Sequence, residues 1–282
     1  MRDAALQGLA VGFFDGVHLG HQAILKGADA ALTFRNHPLS VLAPEKAPRL
    51  IMTPEERVAA IKACGVKDVT VLDFTPELAA MSAEEFVGRY LSSSVFRLQS
   101  SIRCGANWRF GAGGIGDAAF LRSHGIAVEV APYVEYKGER ISSSRIRRCL
   151  ESGEIEDANA MMGRRLKVQG SRFKGKGLGK EIGYPTINLE LSTLNLELPF
   201  GVYEVEVEGA KAIANYGLAP TMGGDAWQRP TLEVHFLHCP LPPLPSTLIA
   251  VEFLKFIRAE KKFDSLEDLK RQIAADCATI AP

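Results

Sequence analysis

Two histidines, His18 and His21, flank Gly20 in the run Gly12-Phe13-Phe14-Asp15-Gly16-Val17-His18-Leu19-Gly20-His21-Gln22. The strand-like Leu9-Ala10-Val11 precedes it, so the pair falls where a first strand gives way to a first helix, the usual ligand edge of an open α/β sheet. A helix start offers free N–H groups to a phosphate, and Gly20 lets the backbone approach closely. Two imidazoles aimed at one anion could then stabilise charge building on a phosphorus in flight. Taken alone, the pair would serve equally as polar capping residues.

A second polar cluster reads Ile141-Ser142-Ser143-Ser144-Arg145-Ile146-Arg147, hydroxyls at a helix cap followed by guanidinium forks, which together make a polyphosphate clamp. Further on, glycine occupies Gly175, Gly177 and Gly179 in a segment that also carries Lys174, Lys176 and Lys180. Such a loop can turn its amides toward phosphate as a nest, or be a plain basic surface loop. Gly183-Tyr184-Pro185-Thr186-Ile187-Asn188 continues it, and Leu232-Glu233-Val234-His235 later places a carboxylate on a strand.

These residues need a frame. In the first half, Leu9–Val11, Ala31–Phe34, Val69–Leu72, Ser101–Cys104 and Ile126–Val130 alternate with helical segments, which argues for a parallel α/β sheet. Thr53-Pro54-Glu55-Glu56 and Ser82-Ala83-Glu84-Glu85 predict capped helix starts. Helical stretches over 143–151 and 154–162 end at Gly163, where a domain boundary is expected, giving domains 1–163 and 164–282. Beyond it, Leu166–Val168, Gly201–Val207, Ala212–Ala214 and Leu232–Phe236 read as strands up to about Val251, and a small antiparallel β-barrel is the natural closure. A last helix follows Ser265, with Leu266, Leu269 and Ile273 on one face.

The first run resembles the H-x-G-H nucleotidylyltransferases and, within them, the adenylyltransferase half of the bacterial riboflavin kinase/FAD synthetase family. Thr33-Phe34-Arg35-Asn36-His37-Pro38 and the Ser/Arg cluster recur in family order. So do Tyr184–Asn188, Asn215-Tyr216-Gly217, Leu232–His235 and Phe256–Leu266 of the kinase module. The resemblance implies a Rossmann-like adenylyltransferase domain followed by a β-barrel riboflavin kinase domain, which together make FMN from riboflavin and FAD from FMN with ATP and magnesium. It implies His18, His21 and Arg147 as catalytic in the first reaction, with Gly12, Phe14, Asp15, Gly20, Ser143, Ser144 and Arg145 around its nucleotide. In the kinase it implies Glu233 as base and Gly175, Gly177, Gly179, Lys180 and Pro185 at the nucleotide. Thr186 and Asn188 would hold magnesium, and His37, Asn107, Asn215 and Arg258 would lie toward flavin.

Four departures stand out. Phe13 occupies a position where the family usually has Asn or another small polar residue, and Arg35-Asn36 precede His37-Pro38. The segment between His21 and Thr33 is short, and Pro240, Pro242, Pro243 and Pro245 stiffen the stretch after His235. A kinase with a decayed first domain and a flavin-binding protein without turnover remain open on the sequence alone.

Acidic and basic residues balance at 33 each, so no wholesale nucleic-acid or membrane partner is expected, only small-molecule substrates. Nothing near Met1 reads as a signal peptide, and cysteines Cys64, Cys104, Cys149, Cys239 and Cys277 form no paired motif. A cytoplasmic location with reduced thiols is the expectation.

Overall fold

The first strand is apolar along its whole length, which suits a strand covered on both faces. In the computed structural model, which describes residues 8–91, 101–174, 178–191, 197–218, 230–237 and 248–280, this β1 (Gly8–Val11) is buried throughout. It sits at the centre of a five-stranded sheet with β2 (Ala30–Phe34), β3 (Asp68–Leu72), β4 (Ser101–Gly105) and β5 (Val128–Ala131). The order is β3-β2-β1-β4-β5, all pairs parallel. The strand order reverses beside β1, so a crevice is expected outside its carboxyl end.

The short segment after His21 removes helix, not sheet. Helix α1 (Leu19–Leu25) has 7 residues, and Arg103 of β4 donates its Nε to the Ile24 carbonyl at 3.2 Å, closing the helix end. Short α2 (Leu39–Leu42) follows β2, and α3 (Pro54–Ala63) starts as expected: Thr53 and Glu56 form both bonds of a capping box. Beyond α4 (Pro76–Ala80), the same device opens α5 (Ala83–Phe86) from Ser82 and Glu85. After α6 (Ala118–Ser123), a small hairpin of β6 (Glu135–Tyr136) and β7 (Glu139–Arg140) leads to Ile141, an element the sequence reading does not contain.

Helices α7 (Ser143–Glu151) and α8 (Ile155–Met162) come next, the latter ended by Gly163 in left-handed conformation. The chain then forms a closed barrel of β8 (Leu166–Phe173), β9 (Thr186–Leu191), β10 (Gly201–Val207), β11 (Ala210–Leu218), β12 (Pro230–Phe236) and β13 (Ile249–Ala259), in the order β10-β11-β12-β9-β8-β13. The four-residue α9 (Leu178–Glu181) precedes β9. Strand β13 continues to Ala259, well past the expected limit near Val251, because it closes the cylinder. Its residues Ile249–Phe253 pair with β8 and Val251–Ala259 pair with β10, the latter ladder carrying two register shifts. Among the described residues, no helix is long and apolar enough to cross a membrane.

Two compact units result, Met1–Ser143 and Ser144–Pro282. This division precedes the expected boundary at Gly163 by two helices. One reason is Asn159 of α8, whose amide donates to the Phe253 carbonyl at 2.8 Å and accepts from the Leu166 amide at 2.7 Å, binding the helix to the barrel.

Outside the barrel, Val202, Ile213, Leu237 and Ile280 make a second apolar cluster with Ile257 and Cys277. It includes residues of the segment ending α10 (Leu266–Ala278), whose most buried side chain is charged: Asp276 accepts two bonds from Arg258 Nε at 3.0 Å and one from Nη2 at 2.7 Å. Leu266, expected on the buried face, is 55% exposed. The helix docks through its later turns, around Asp276.

Removing one partner of a buried ion pair strands the other charge. Asp276→Ala should therefore cost the second unit about 3 kcal/mol in urea unfolding. Arg165→Ala, which breaks exposed pairs with Glu206 and Glu252, should cost no more than about 1 kcal/mol.

Candidate functional site

The connection from β1 to α1 is a strained turn. Phe14 and Val17 have φ of 57° and 38°, and a β-branched residue in that region persists only where its surroundings hold it. Asp15, 1% exposed, supplies the hold: its carboxylate accepts from the Ile51 amide at 3.0 and 3.1 Å and from the Met52 amide at 3.2 Å. Its carbonyl accepts from Ser143 Oγ at 2.9 Å. Thr33 Oγ1 donates to the Phe13 carbonyl at 2.9 Å, and Gly12 joins β2 through the Leu32 carbonyl.

The turn delivers His18 as the N-cap of α1, its Nδ1 accepting from the His21 amide at 3.3 Å. That bond assigns the ring hydrogen of neutral His18 to Nε2. The two imidazoles stack with centroids 3.6 Å apart and planes inclined by 17°, and Phe14 stands edge-on to His21 at 5.4 Å. Gly20 leaves room for this stack, since a Cβ there would press on the His18 ring at 3.1 Å. Burial, assisted by the Arg140 charge, lowers the His18 pKa to about 4. Burial, His18, Arg140 and Arg57 together hold His21 well below the ordinary value. Both rings are therefore neutral hydrogen-bond donors at physiological pH.

Arg140 was absent from the sequence-based candidates, although it directly precedes the Ile141-Ser142-Ser143 motif. Its Nη2 donates to Asn107 Oδ1 at 3.1 Å and its guanidinium lies 3.9 Å from the Tyr133 ring centroid. Arg57 was also missed: its guanidinium covers Phe13, 4.3 Å from the ring centroid. Phe13 meets His37 edge-on at 4.8 Å, while His37 Nδ1 caps the Leu39 amide at 3.1 Å. The first unit thus gathers Gly12, Phe14, Asp15, His18, Gly20, His21 and Ser143 at one turn. Ser144, Arg145 and the buried Arg147 lie on α7 in the second unit.

In the barrel, strand alternation does the assembling. Leu232, Val234 and Phe236 are buried, which turns Glu233 and His235 to the opposite face. Register then sets Glu233 between Asn215 of β11 and Asn188 of β9, and His235 beside Thr186. The same row continues through Val202 to Arg258. Desolvation of its carboxyl pushes the Glu233 pKa up. Arg258, expected toward flavin, has its fork engaged by Asp276.

His235 Nδ1 lies 2.9 Å from the Pro185 carbonyl, and its ring meets Tyr184. Gly179 packs so closely that a Cβ would fall 2.5 Å from the Tyr184 carbonyl and 3.0 Å from Thr186 Oγ1, so the exit of the glycine-rich loop touches the Thr186 end of β9. Gly175, Gly177 and the Lys180 side chain lie outside the described residues.

The histidine environment has a measurable signature. Between pH 6.5 and about 4 the unfolded chain takes up a proton on His18 that the native state refuses, so stability is complete above that window and falls as pH drops through it. At pH 5 the loss through His18 alone should be about 2 kcal/mol. Urea unfolding of the first unit at pH 8 and pH 5 should show it, and His18→Asn, which retains a capping side chain, should flatten the difference.

Comparison with known proteins matches the two halves of the chain to two families in order. A family model described as FAD synthetase matches residues 3–145, and one described as riboflavin kinase matches residues 162–281. The bifunctional riboflavin kinase/FMN adenylyltransferase of Pseudomonas fluorescens is 34% identical over 95% of this chain and 90% of its own length. Its namesake from Escherichia coli strain K12 is 33% identical over 95% of this chain and 90% of its own. A crystal structure described as a macrolide-efflux protein from Streptococcus pneumoniae superposes with a TM-score of 0.83 at 29% identity, covering 97% of this chain and 93% of that one. With both modules matched in order and such relatives spanning nearly its full length, the chain belongs to the bifunctional riboflavin kinase/FMN adenylyltransferase family.

Proposed function

We propose that the second unit phosphorylates riboflavin to FMN with ATP and that the first adenylylates FMN to FAD with release of pyrophosphate. The observation that carries this reading is the Asn188–Glu233–Asn215 row beside Thr186, assembled by barrel register in a chain that also holds a neutral, stacked His18–His21 pair.

In the kinase step, Glu233 accepts the proton of the riboflavin 5′-hydroxyl as its oxygen attacks the γ-phosphorus of ATP, and the bond to ADP breaks. Desolvation of the carboxyl raises the base's pKa, which favours proton transfer. Thr186 and Asn188, neutral oxygen donors on one side of β9, fit magnesium, which when bound offsets phosphate charge. Gly175, Gly177, Gly179, Lys180 and Pro185 are assigned to the nucleotide and Asn215 to the flavin side. Arg258 is assigned a supporting place beside that row.

In the adenylyl transfer, an FMN phosphate oxygen attacks the α-phosphorus of a second ATP and pyrophosphate leaves. No base is needed, because the nucleophile is already anionic. His18 and His21 donate to the oxygens of the phosphorus under attack. Gly12, Phe14, Asp15, Gly20 and Ser143 are assigned to the nucleotide, as are Ser144 and Arg145, Arg147 is assigned a catalytic role, and His37 and Asn107 are assigned to the flavin side. The functional boundary is assigned to Gly163, between domains 1–163 and 164–282, and the setting to the cytoplasm. The geometry gives no support to a decayed first domain, since the short α1 keeps its cap and the imidazoles keep their stack.

Two variants should fail in opposite ways. Glu233→Gln should lower FMN formation by about a hundredfold to ten-thousandfold while FAD formation from supplied FMN persists. The double variant His18→Ala, His21→Ala should keep making FMN and lose FAD formation by about a hundredfold or more. Chromatography of flavins after incubation with ATP and magnesium reads both. The direction of the Glu233 shift adds that the acid limb of the kinase pH profile lies above 4.5, the ordinary carboxyl value.

A further inference from the structure

Arg57, in the first half of α3, has 0% of its surface exposed. Its Nη2 donates to the carbonyls of Phe34 and Arg35 at the end of β2, the latter at 2.9 Å. Nε and Nη1 are closed off from solvent and have no hydrogen-bond partner among the described residues. The charges of Asp15 and Glu55 support that of the guanidinium, and the Phe13 face lies over it. A wholly buried cation with two idle donors is a poor device for stability, because a neutral side chain of similar size would avoid the desolvation.

The chemistry proposed for this unit supplies another use. Adenylyl transfer must bring the phosphate of one nucleotide against the α-phosphate of another, and two anions approach only where cations stand between or behind them. Two guanidinium groups act on His21, Arg140 and Arg57. Arg140 is exposed and tied to Asn107, beyond β4. Arg57 is buried beneath Phe13, at the ends of β1 and β2.

We propose that Arg57 is a binding residue for the phosphomonoester of the flavin nucleotide, reached when the Phe13 ring swings aside and Nε or Nη1 donates to a phosphate oxygen. This rests on reading the first unit as an FMN adenylyltransferase. Phe13 is then a cover over a stored charge. A dianionic phosphate can displace it, and the same flavin without phosphate gains nothing by doing so.

The test uses the full chain and steady-state FAD formation, with riboflavin phosphorylation as a check on the second unit and thermal unfolding as a check on the first. Arg57→Met should raise the KM for FMN about tenfold or more, as expected for a lost charge-assisted bond, with the KM for ATP nearly unchanged. Arg57→Lys should recover part of the loss. Phe13→Ala should lower the KM for FMN by about threefold, the worth of the contact the phosphate has to displace.

A folded Arg57→Met chain with altered thermal stability and an unchanged KM for FMN would make Arg57 a structural residue and overturn the proposal. If that variant fails to fold, Phe13→Ala decides: an unchanged or raised KM for FMN overturns it as well. Should the unmodified chain make no FAD, the adenylyltransferase reading fails first and the proposal with it.

Discussion

The buried carboxylate of Asp15 is the fixed point of the first unit. It binds the amides of Ile51 and Met52, so the chain entering α3 is fastened to the turn leaving β1. That fastening offsets the strain of a valine at φ 38° and sets the direction in which α1 starts. The His18–His21 stack depends on that direction, as does the position of Arg57, carried by the helix on the far side of the same tether. The Asp15 charge also acts on Arg57, supporting the guanidinium carried by that helix.

The second unit reaches its arrangement by a different constraint, the two-residue period of a strand in a closed cylinder. Burying Leu232, Val234 and Phe236 leaves no choice about which way Glu233 faces, and pairing on both sides leaves no choice about its neighbours. Those neighbours are amides. The Glu233 pKa therefore rises by desolvation, with no cation among the described residues pulling it down.

What the sequence showed, and what it hid, follows from how local each signal is. Strand alternation, the capping boxes at Thr53 and Ser82, and the stop at Gly163 are written within a few residues, and each element starts or ends accordingly. The Asn188–Glu233–Asn215 row was legible only as three separate motifs, since register is a property of paired strands. Arg57 was hidden because Pro54-Glu55-Glu56-Arg57 reads as the charged first turn of a surface helix, and only packing against Phe13 and the end of β2 buries it. Phe13 was legible as a departure but not as a partner. Asp276 and Arg258 were hidden for the same reason: a carboxylate near the end of an amphipathic helix looks solvated until a strand supplies its cation.

The two units solve the same electrostatic problem, anionic phosphate in a confined place, from opposite ends, and the nucleophile decides which. An alcohol arrives neutral and must lose a proton, so its site needs a base whose affinity for that proton is raised. Asn188 and Asn215 are neutral in keeping with that need. A phosphate arrives already charged and must be brought against another, so its site needs cations and hydrogen-bond donors. Imidazoles kept neutral by burial fit that role, because a neutral ring still donates from one nitrogen while its low pKa withholds the second proton from solution chemistry. The two nucleophiles ask for different environments, which is a physical reason for one chain to carry them on two frames.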